Sequence, residues 1–249
     1  MMTRDFAWLW PLIVSPFVGS FLAALAIRLP AGRPWIWERS RCPYCAAVLG
    51  VLDLIPVASW LASGGRCRHC QAAVTPFYAI VELGALAIAL WALWTVPQDQ
   101  LWASCILGWG LLALAAIDAR DFLLPDTITL PLVVAGLAAA FFGEPDDLPQ
   151  HVAGAALGAV AFLAIRIAYR HLRGREGLGL GDVKLMAVAG AWVSWVGLPS
   201  VVLIAAVASF AWVLARGKRQ RPIALDTRLP FGPGLCLGIW MVWLYGPLN

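Results

Sequence analysis

Leu101-Trp102-Ala103-Ser104-Cys105-Ile106-Leu107-Gly108-Trp109-Gly110-Leu111-Leu112-Ala113-Leu114-Ala115-Ala116-Ile117 runs without a charge and stops at Asp118. About 20 apolar residues cover the hydrocarbon core of a bilayer as a helix, and this stretch reads as such a crossing. Working outward, residues 6–27, 77–96, 127–142, 152–165, 185–196, 199–215 and 230–245 have the same character. The expected fold is all-α, a polytopic integral membrane protein with about eight transmembrane helices. Gly197-Leu198-Pro199 separates the sixth and seventh stretches and predicts a tight turn there. The first stretch lacks an early basic cluster and a small-residue cleavage site, so it reads as a retained helix rather than a signal peptide.

Composition agrees. Of 249 residues, 61% are hydrophobic and 13% charged, and the mean hydropathy is +0.80. A soluble domain carries about 25% charged residues, so a water-soluble globular enzyme is excluded. Disorder is excluded by the apolar content. Six cysteines in 249 residues are too few for a secreted disulfide scaffold. Eight crossings leave no room for a large soluble domain.

The net charge is +4, and its distribution matters more than its sum. With eight crossings, loops 28–76, 118–126, 166–184 and 216–229 share one side. They hold all of the 18 Lys and Arg except Arg4. The opposite loops, 97–100 and 143–151, carry Asp99, Glu144, Asp146 and Asp147 and no base. The positive-inside rule makes the basic side cytoplasmic and puts both termini outside. Topology thus explains the bases, and a nucleic-acid role is not expected.

The long loop 28–76 contains Cys42-Pro43-Tyr44-Cys45 and Cys67-Arg68-His69-Cys70. Each pair can supply two corners of a tetrahedron, and two pairs complete a four-thiolate zinc site. A cytoplasmic position counts against persistent disulfides. Four protein ligands leave no open position, so the zinc is expected to be structural, folding this small cytoplasmic loop. His69 reads as a surface histidine. Cys105 and Cys236 lie in apolar stretches and read as small buried residues. The expected division is 1–76, first helix plus zinc loop, and 77–249, the remaining membrane domain.

Ionisable groups in or beside a crossing are costly and need a reason. Asp118 ends the third stretch in Ala116-Ile117-Asp118-Ala119-Arg120-Asp121-Phe122-Leu123-Leu124-Pro125-Asp126. Asp182 opens the sixth after Gly177-Leu178-Gly179-Leu180-Gly181. Both fall on the cytoplasmic side, where they can meet. Paired carboxyl groups share a proton, one acting as base and the other as acid. Glycines at 179 and 181, followed by Lys184, would form an approach for a substrate backbone. From spacing alone, Asp118 ending a helix paired with Arg120, and Asp182 as an N-cap, explain the two acids equally well. Asp126 reads as an N-cap and Asp121 as a loop residue. Glu82, inside the second stretch, reads as structural, bonded to a polar neighbour.

In these residues the sequence resembles the type IV prepilin peptidases, the GxGD-type membrane aspartic proteases that serve as bacterial leader peptidases of pili and type II secretion. The resemblance covers nearly the whole chain. It runs through Gly19-Ser20-Phe21-Leu22, Arg28-Leu29-Pro30, the cysteine loop, Asp53-Leu54-Ile55-Pro56, Ile117-Asp118 to Asp126, Gly179 to Leu185 and Phe231-Gly232-Pro233.

The resemblance implies an aspartic endopeptidase of the inner membrane with its site at the cytoplasmic face, cutting the basic leader from prepilins or pseudopilins. It implies Asp118 and Asp182 as the catalytic pair and Cys42, Cys45, Cys67 and Cys70 as zinc ligands. It further implies N-methylation of the new N-terminus with S-adenosylmethionine. No glycine-rich nucleotide fingerprint follows a strand, so that donor would sit in a non-Rossmann site. Two places depart from the family's usual pattern, both in the half linked to methylation. Ala23 stands where asparagine is usual, and Thr75-Pro76-Phe77-Tyr78-Ala79 replaces Ser-x-Arg-Tyr-Pro. An ion-coupled membrane transporter is the alternative, since intramembrane acids mark ion pathways. The absence of an internal repeat speaks against it.

Overall fold

The computed structural model describes residues 8–34, 39–174, 177–217 and 231–248. Every regular element among them is helical, and β-pairing is limited to two isolated bridges. The helices are α1 (Leu9–Arg28), α2 (Ala58–Ala62), α3 (Phe77–Thr95), α4 (Leu101–Asp121), α5 (Asp126–Gly143), α6 (Leu148–Arg173), α7 (Leu180–Gly217) and α8 (Gly232–Tyr245). Phe6, Pro230 and the bases Arg4, Arg175, Lys218, Arg219, Arg221 and Arg228, which entered the sequence reading, lie outside the described residues.

Six of these helices, α1, α3, α4, α5, α6 and α7, are long and apolar enough to cross a membrane, and α8 is a shorter apolar helix of 14 residues. Among the described residues this supports six candidate crossings, short of the expected eight. The predicted stretches 185–196 and 199–215 fall within one element, α7, of 38 residues. Its helical path breaks at Ser194, with φ 56° and ψ −176°, not at Gly197-Leu198-Pro199. Proline at 199 does not end the helix, because the chain has already broken several residues earlier. At about 1.5 Å per residue, 38 helical residues would run about 57 Å, nearly twice the hydrocarbon core of about 30 Å.

The chain divides into two compact units, Met1–Ala113 and Leu114–Asn249. In the first, α1 packs along α3. Gly19 makes this contact possible, since a Cβ there would lie 2.6 Å from the Cα of Glu82. The cysteine loop and α2 fill the sequence between these helices. Trp109 of α4 donates its indole N–H to the Ala85 carbonyl of α3 at 3.1 Å.

In the second unit α7 is the central helix, packed against α5, α6 and α8. Its Trp192 is fully buried, donates its indole N–H to the Leu132 carbonyl of α5 at 2.8 Å, and meets Trp243 of α8 edge-on at 5.2 Å. Tryptophan suits this place because one residue supplies a large apolar face and satisfies its polar tip. The end of α4 belongs to this unit, and Phe122 closes that helix in the left-handed region, with φ 53°. A bulky residue there carries roughly 1–3 kcal/mol of backbone strain, four residues from Asp118.

Candidate active site and metal centre

The metal centre is built by local hydrogen bonding, repeated twice. Cys42 donates its N–H to the Ala47 carbonyl, and Ala46 donates back to the Cys42 carbonyl, each at 2.9 Å. Cys67 pairs with Ala72, and Gln71 with Cys67, at the same 2.9 Å. The residue after each second cysteine is left-handed, with φ 56° at Ala46 and 59° at Gln71. The bridges Arg41–Val48 and Arg66–Ala73 close the two turns. One sequence pattern has thus folded twice into the same knuckle.

The four Sγ atoms lie within 4.8 Å of one another, and those of Cys42 and Cys70 are 3.8 Å apart. A tetrahedron with metal–sulfur bonds of about 2.3 Å has an edge of about 3.8 Å, so the sulfurs are spaced for a metal. The N–H groups of Cys45 and Tyr44 hold the Cys42 thiol down to about 6. The Ala72 N–H acts on Cys70 in the same direction, but desolvation and the sulfurs of Cys45, Cys67 and Cys42 outweigh it and push that thiol up to about 12. Four thiols so close resist ionising together, and a divalent cation removes the conflict. These residues fit zinc. His69 is exposed and outside the cluster. Arg68, between two ligands, pairs its Nε with Asp53 Oδ1 at 3.2 Å, tying the second knuckle to the helical turn Val51–Leu54.

The acid site belongs to the second unit. Asp118 lies in the last turn of α4 and is buried, at 6% exposure. Its Oδ2 accepts the backbone N–H of Gly232, at the start of α8, at 3.1 Å. A Cβ on Gly232 would fall 2.6 Å from that oxygen. Asp182 is the third residue of α7, and its Oδ2 accepts the Gly179 N–H at 3.1 Å. This is half of a capping box, so the capping reading of Asp182 is realised at the third helical position rather than at the cap. Capping does not exclude chemistry, because it engages Oδ2 alone. Asp182 lies close enough to act electrostatically on Asp118, and the buried Cys236, one turn along α8 from Gly232, lies within range of both.

Two further contacts join the motifs. Leu124 packs on Gly181, where an added Cβ would lie 2.8 Å from the Leu124 Cβ. Lys184 pairs with Asp126. Asp126 therefore differs from its expected role. Pro125 occupies the cap, and Asp126 is the first helical residue, its carboxylate turned to Lys184. Neither this pair nor the Gly232 donor is legible from spacing, since the partners are 58 and 114 positions apart. Phe231-Gly232-Pro233 was the available signal, but nothing in it specifies a hydrogen bond. Glu82 lies elsewhere, in the first unit. It is 5% exposed, and its Oε2 accepts the Val57 N–H at 2.7 Å.

Paired carboxyls beside glycine backbone suit general acid–base attack of water on a peptide carbonyl. Residues 105–214 match the type IV leader peptidase family, and residues 13–96 match the bacterial A24 peptidase N-terminal domain. A prepilin leader peptidase/N-methyltransferase of Burkholderia pseudomallei strain 1026b is 39% identical over 254 residues, covering 91% of this chain and 82% of that protein. The chain belongs to the type IV leader peptidase family. Two more members with the same name show how far the likeness extends. The protein of Aeromonas salmonicida strain A449 is 36% identical, with 98% of this chain and 94% of that one covered. That of Pseudomonas aeruginosa is 33% identical, covering 94% and 89%. No solved structure matches this chain. Nothing among these relatives supports the transporter alternative.

Proposed function

We propose that this protein is a membrane aspartic endopeptidase that removes the basic leader from type IV prepilins or type II secretion pseudopilins and then N-methylates the new terminus. The carrying observation is the placement of Asp118 and Asp182, the first within electrostatic reach of the second and each with Oδ2 held by a glycine N–H. In this reading Oδ1 of each aspartate faces the reacting groups. One carboxylate takes a proton from water as the water oxygen attacks the scissile carbonyl. The protonated partner donates to the carbonyl oxygen, and the tetrahedral intermediate collapses as the amine leaves with a proton. Gly179 and Gly181 admit the substrate backbone, and Lys184 steadies the start of α7 through Asp126.

The site stands at the cytoplasmic face of the bacterial inner membrane, as the distribution of bases argues. α7 crosses twice, once on each side of Ser194, and with α8 this makes eight crossings. Residues 1–76 form the zinc-bearing module, where Cys42, Cys45, Cys67 and Cys70 hold the ion, and residues 77–249 carry the peptidase. S-adenosylmethionine supplies the electrophilic methyl group for the second reaction.

Mass spectrometry of a co-expressed prepilin tests both activities, because cleavage and methylation change its mass separately. A cleaved, methylated product is expected. An intact leader beside a membrane-inserted enzyme would sink the peptidase assignment, and a cleaved but unmethylated product would remove the second activity alone.

A further inference from the structure

Between the two knuckles the chain reads Val51-Leu52-Asp53-Leu54-Ile55-Pro56-Val57-Ala58-Ser59-Trp60-Leu61-Ala62, with Asp53 as its one charge. A run so apolar is costly to leave in water. It forms the helical turn Val51–Leu54 and the short helix α2. Leu52 and Leu61 are 63% and 64% exposed, and Leu54 and Ile55 are exposed as well. The polar groups are satisfied from within the loop. Asp53 Oδ1 takes the Arg68 Nε at 3.2 Å, and its Oδ2 takes the Gly50 N–H at 3.1 Å. Trp60 packs on Gly65 and donates its indole N–H to the Val74 carbonyl at 3.3 Å. The segment is thus fastened to the second knuckle while four aliphatic side chains stay uncovered.

A hydrogen bond sets the depth of this segment. Val57 donates its N–H to Oε2 of the buried Glu82 at 2.7 Å. α3 has 19 residues, about 28 Å of helix at about 1.5 Å each. The hydrocarbon core is about 30 Å thick, so a crossing uses the whole of α3. Glu82 stands about 7.5 Å along the axis from Phe77, the first residue of α3. Helical side chains lean toward the N-terminus, which brings the carboxylate back toward the first turn but not beyond it. Val57 therefore stands at the hydrocarbon boundary. Its φ of 58° is rare for a β-branched residue, and it marks the place where the helical turn gives way to α2.

We propose that residues 51–62 lie in the membrane boundary beside the start of α3, with Leu52, Leu54, Ile55 and Leu61 against lipid acyl chains, so that the bilayer surface is the docking partner of the cysteine loop. Interfacial segments sit about 5–10 Å into the boundary of headgroups and acyl chains, the depth that the Val57–Glu82 bond gives. Arg39 and Arg66 are exposed on the same loop and suit anionic headgroups. The inference rests on α3 crossing the membrane and is independent of the peptidase and methyltransferase reading.

A small fluorescent amino acid placed at Leu52 or Leu61 tests it, in the full chain reconstituted into vesicles of mixed zwitterionic and anionic phospholipid. Gln98, exposed in the connection between α3 and α4, is the reference position in water. Lipids brominated near the top of the acyl chain should quench positions 52 and 61 several-fold more than position 98. Iodide, present on both sides of the vesicle, should do the reverse. Zinc content reports whether each labelled chain keeps its loop folded. With the probe at Ile55, the double substitution Leu52→Glu and Leu61→Glu should lower lipid quenching toward the Gln98 level while zinc is retained.

If iodide quenches positions 52 and 61 as strongly as position 98, the segment stands in water and the proposal is overturned. If neither quencher reaches them, protein covers the patch, a second copy of this chain or a prepilin, and the bilayer is overturned as the occupant. Prepilin processing enters none of these readings, so its failure would leave the docking intact.

Discussion

In the cysteine loop, each pair of ligands is three residues apart and is held by hydrogen bonds between immediate neighbours. In the acid site, Asp118 ends one helix, Asp182 begins another, and the N–H on Asp118 comes from a third, 114 positions away. In the proposed reading a metal joins two preformed knuckles of the loop, whereas the acid site needs a packed bundle before any geometry exists. Short-range order is cheap in chain entropy and tolerates poor surroundings, while long-range order depends on everything packed around it. Damage should accordingly stay local in the first region and propagate in the second.

The largest expected effect tests the second region at its centre. Asp118→Asn and Asp182→Asn are each expected to lower prepilin cleavage by about 10³-fold or more, since the pair acts as a unit. Zinc content should not change. Mass spectrometry of co-expressed prepilin reads the first and elemental analysis the second, and near-normal cleavage by either variant would remove the catalytic assignment.

Cys67→Ser tests the first region in the same manner. Elemental analysis should find about one zinc per chain in the wild type, purified without chelator, and almost none in the variant. A metal-free wild type would break the comparison.

Gly232→Ala asks whether the acid site depends on a partner distant in sequence. The new Cβ would fall 2.6 Å from Asp118 Oδ2 and must displace the carboxyl. Cleavage should fall by about 10–100-fold through misplacement, with insertion unchanged. Wild-type rates would show that the Gly232 contact is incidental.

A smaller effect separates the regions by pH. Cys42 is held down to about 6, so its thiolate is favoured above that pH and protonated below it. The stability this charge contributes is complete above the ordinary thiol value of 9.0 and is lost as pH falls through about 6. Protons compete with the metal in the same direction. Zinc release to a chromophoric chelator should therefore rise as pH falls, and release independent of pH would contradict protonation of the thiolates.

The smallest effect is expected at Lys184→Met. Both partners of the Lys184–Asp126 pair are partly exposed, with side chains 39% and 55% accessible, so the pair is worth about 0–1 kcal/mol. Cleavage should change only a few-fold. A loss as deep as that of Asp182→Asn would mean that Lys184 touches substrate.

The sequence by itself determined whatever depends on near neighbours and on solvent. Apolar runs named the bilayer and Cys-x-x-Cys named a knuckle before any coordinates, because hydropathy and short hydrogen-bonded turns are properties of contiguous residues. The tertiary structure decided the rest. Ser194, not Gly197-Leu198-Pro199, breaks α7, since packing rather than turn propensity chooses the break. Gly232 reaches Asp118, Lys184 takes Asp126 from its expected cap, and Glu82 finds its polar neighbour in the Val57 N–H. Each of these contacts joins residues far apart in the chain, and no local pattern specifies which distant partner a side chain will meet.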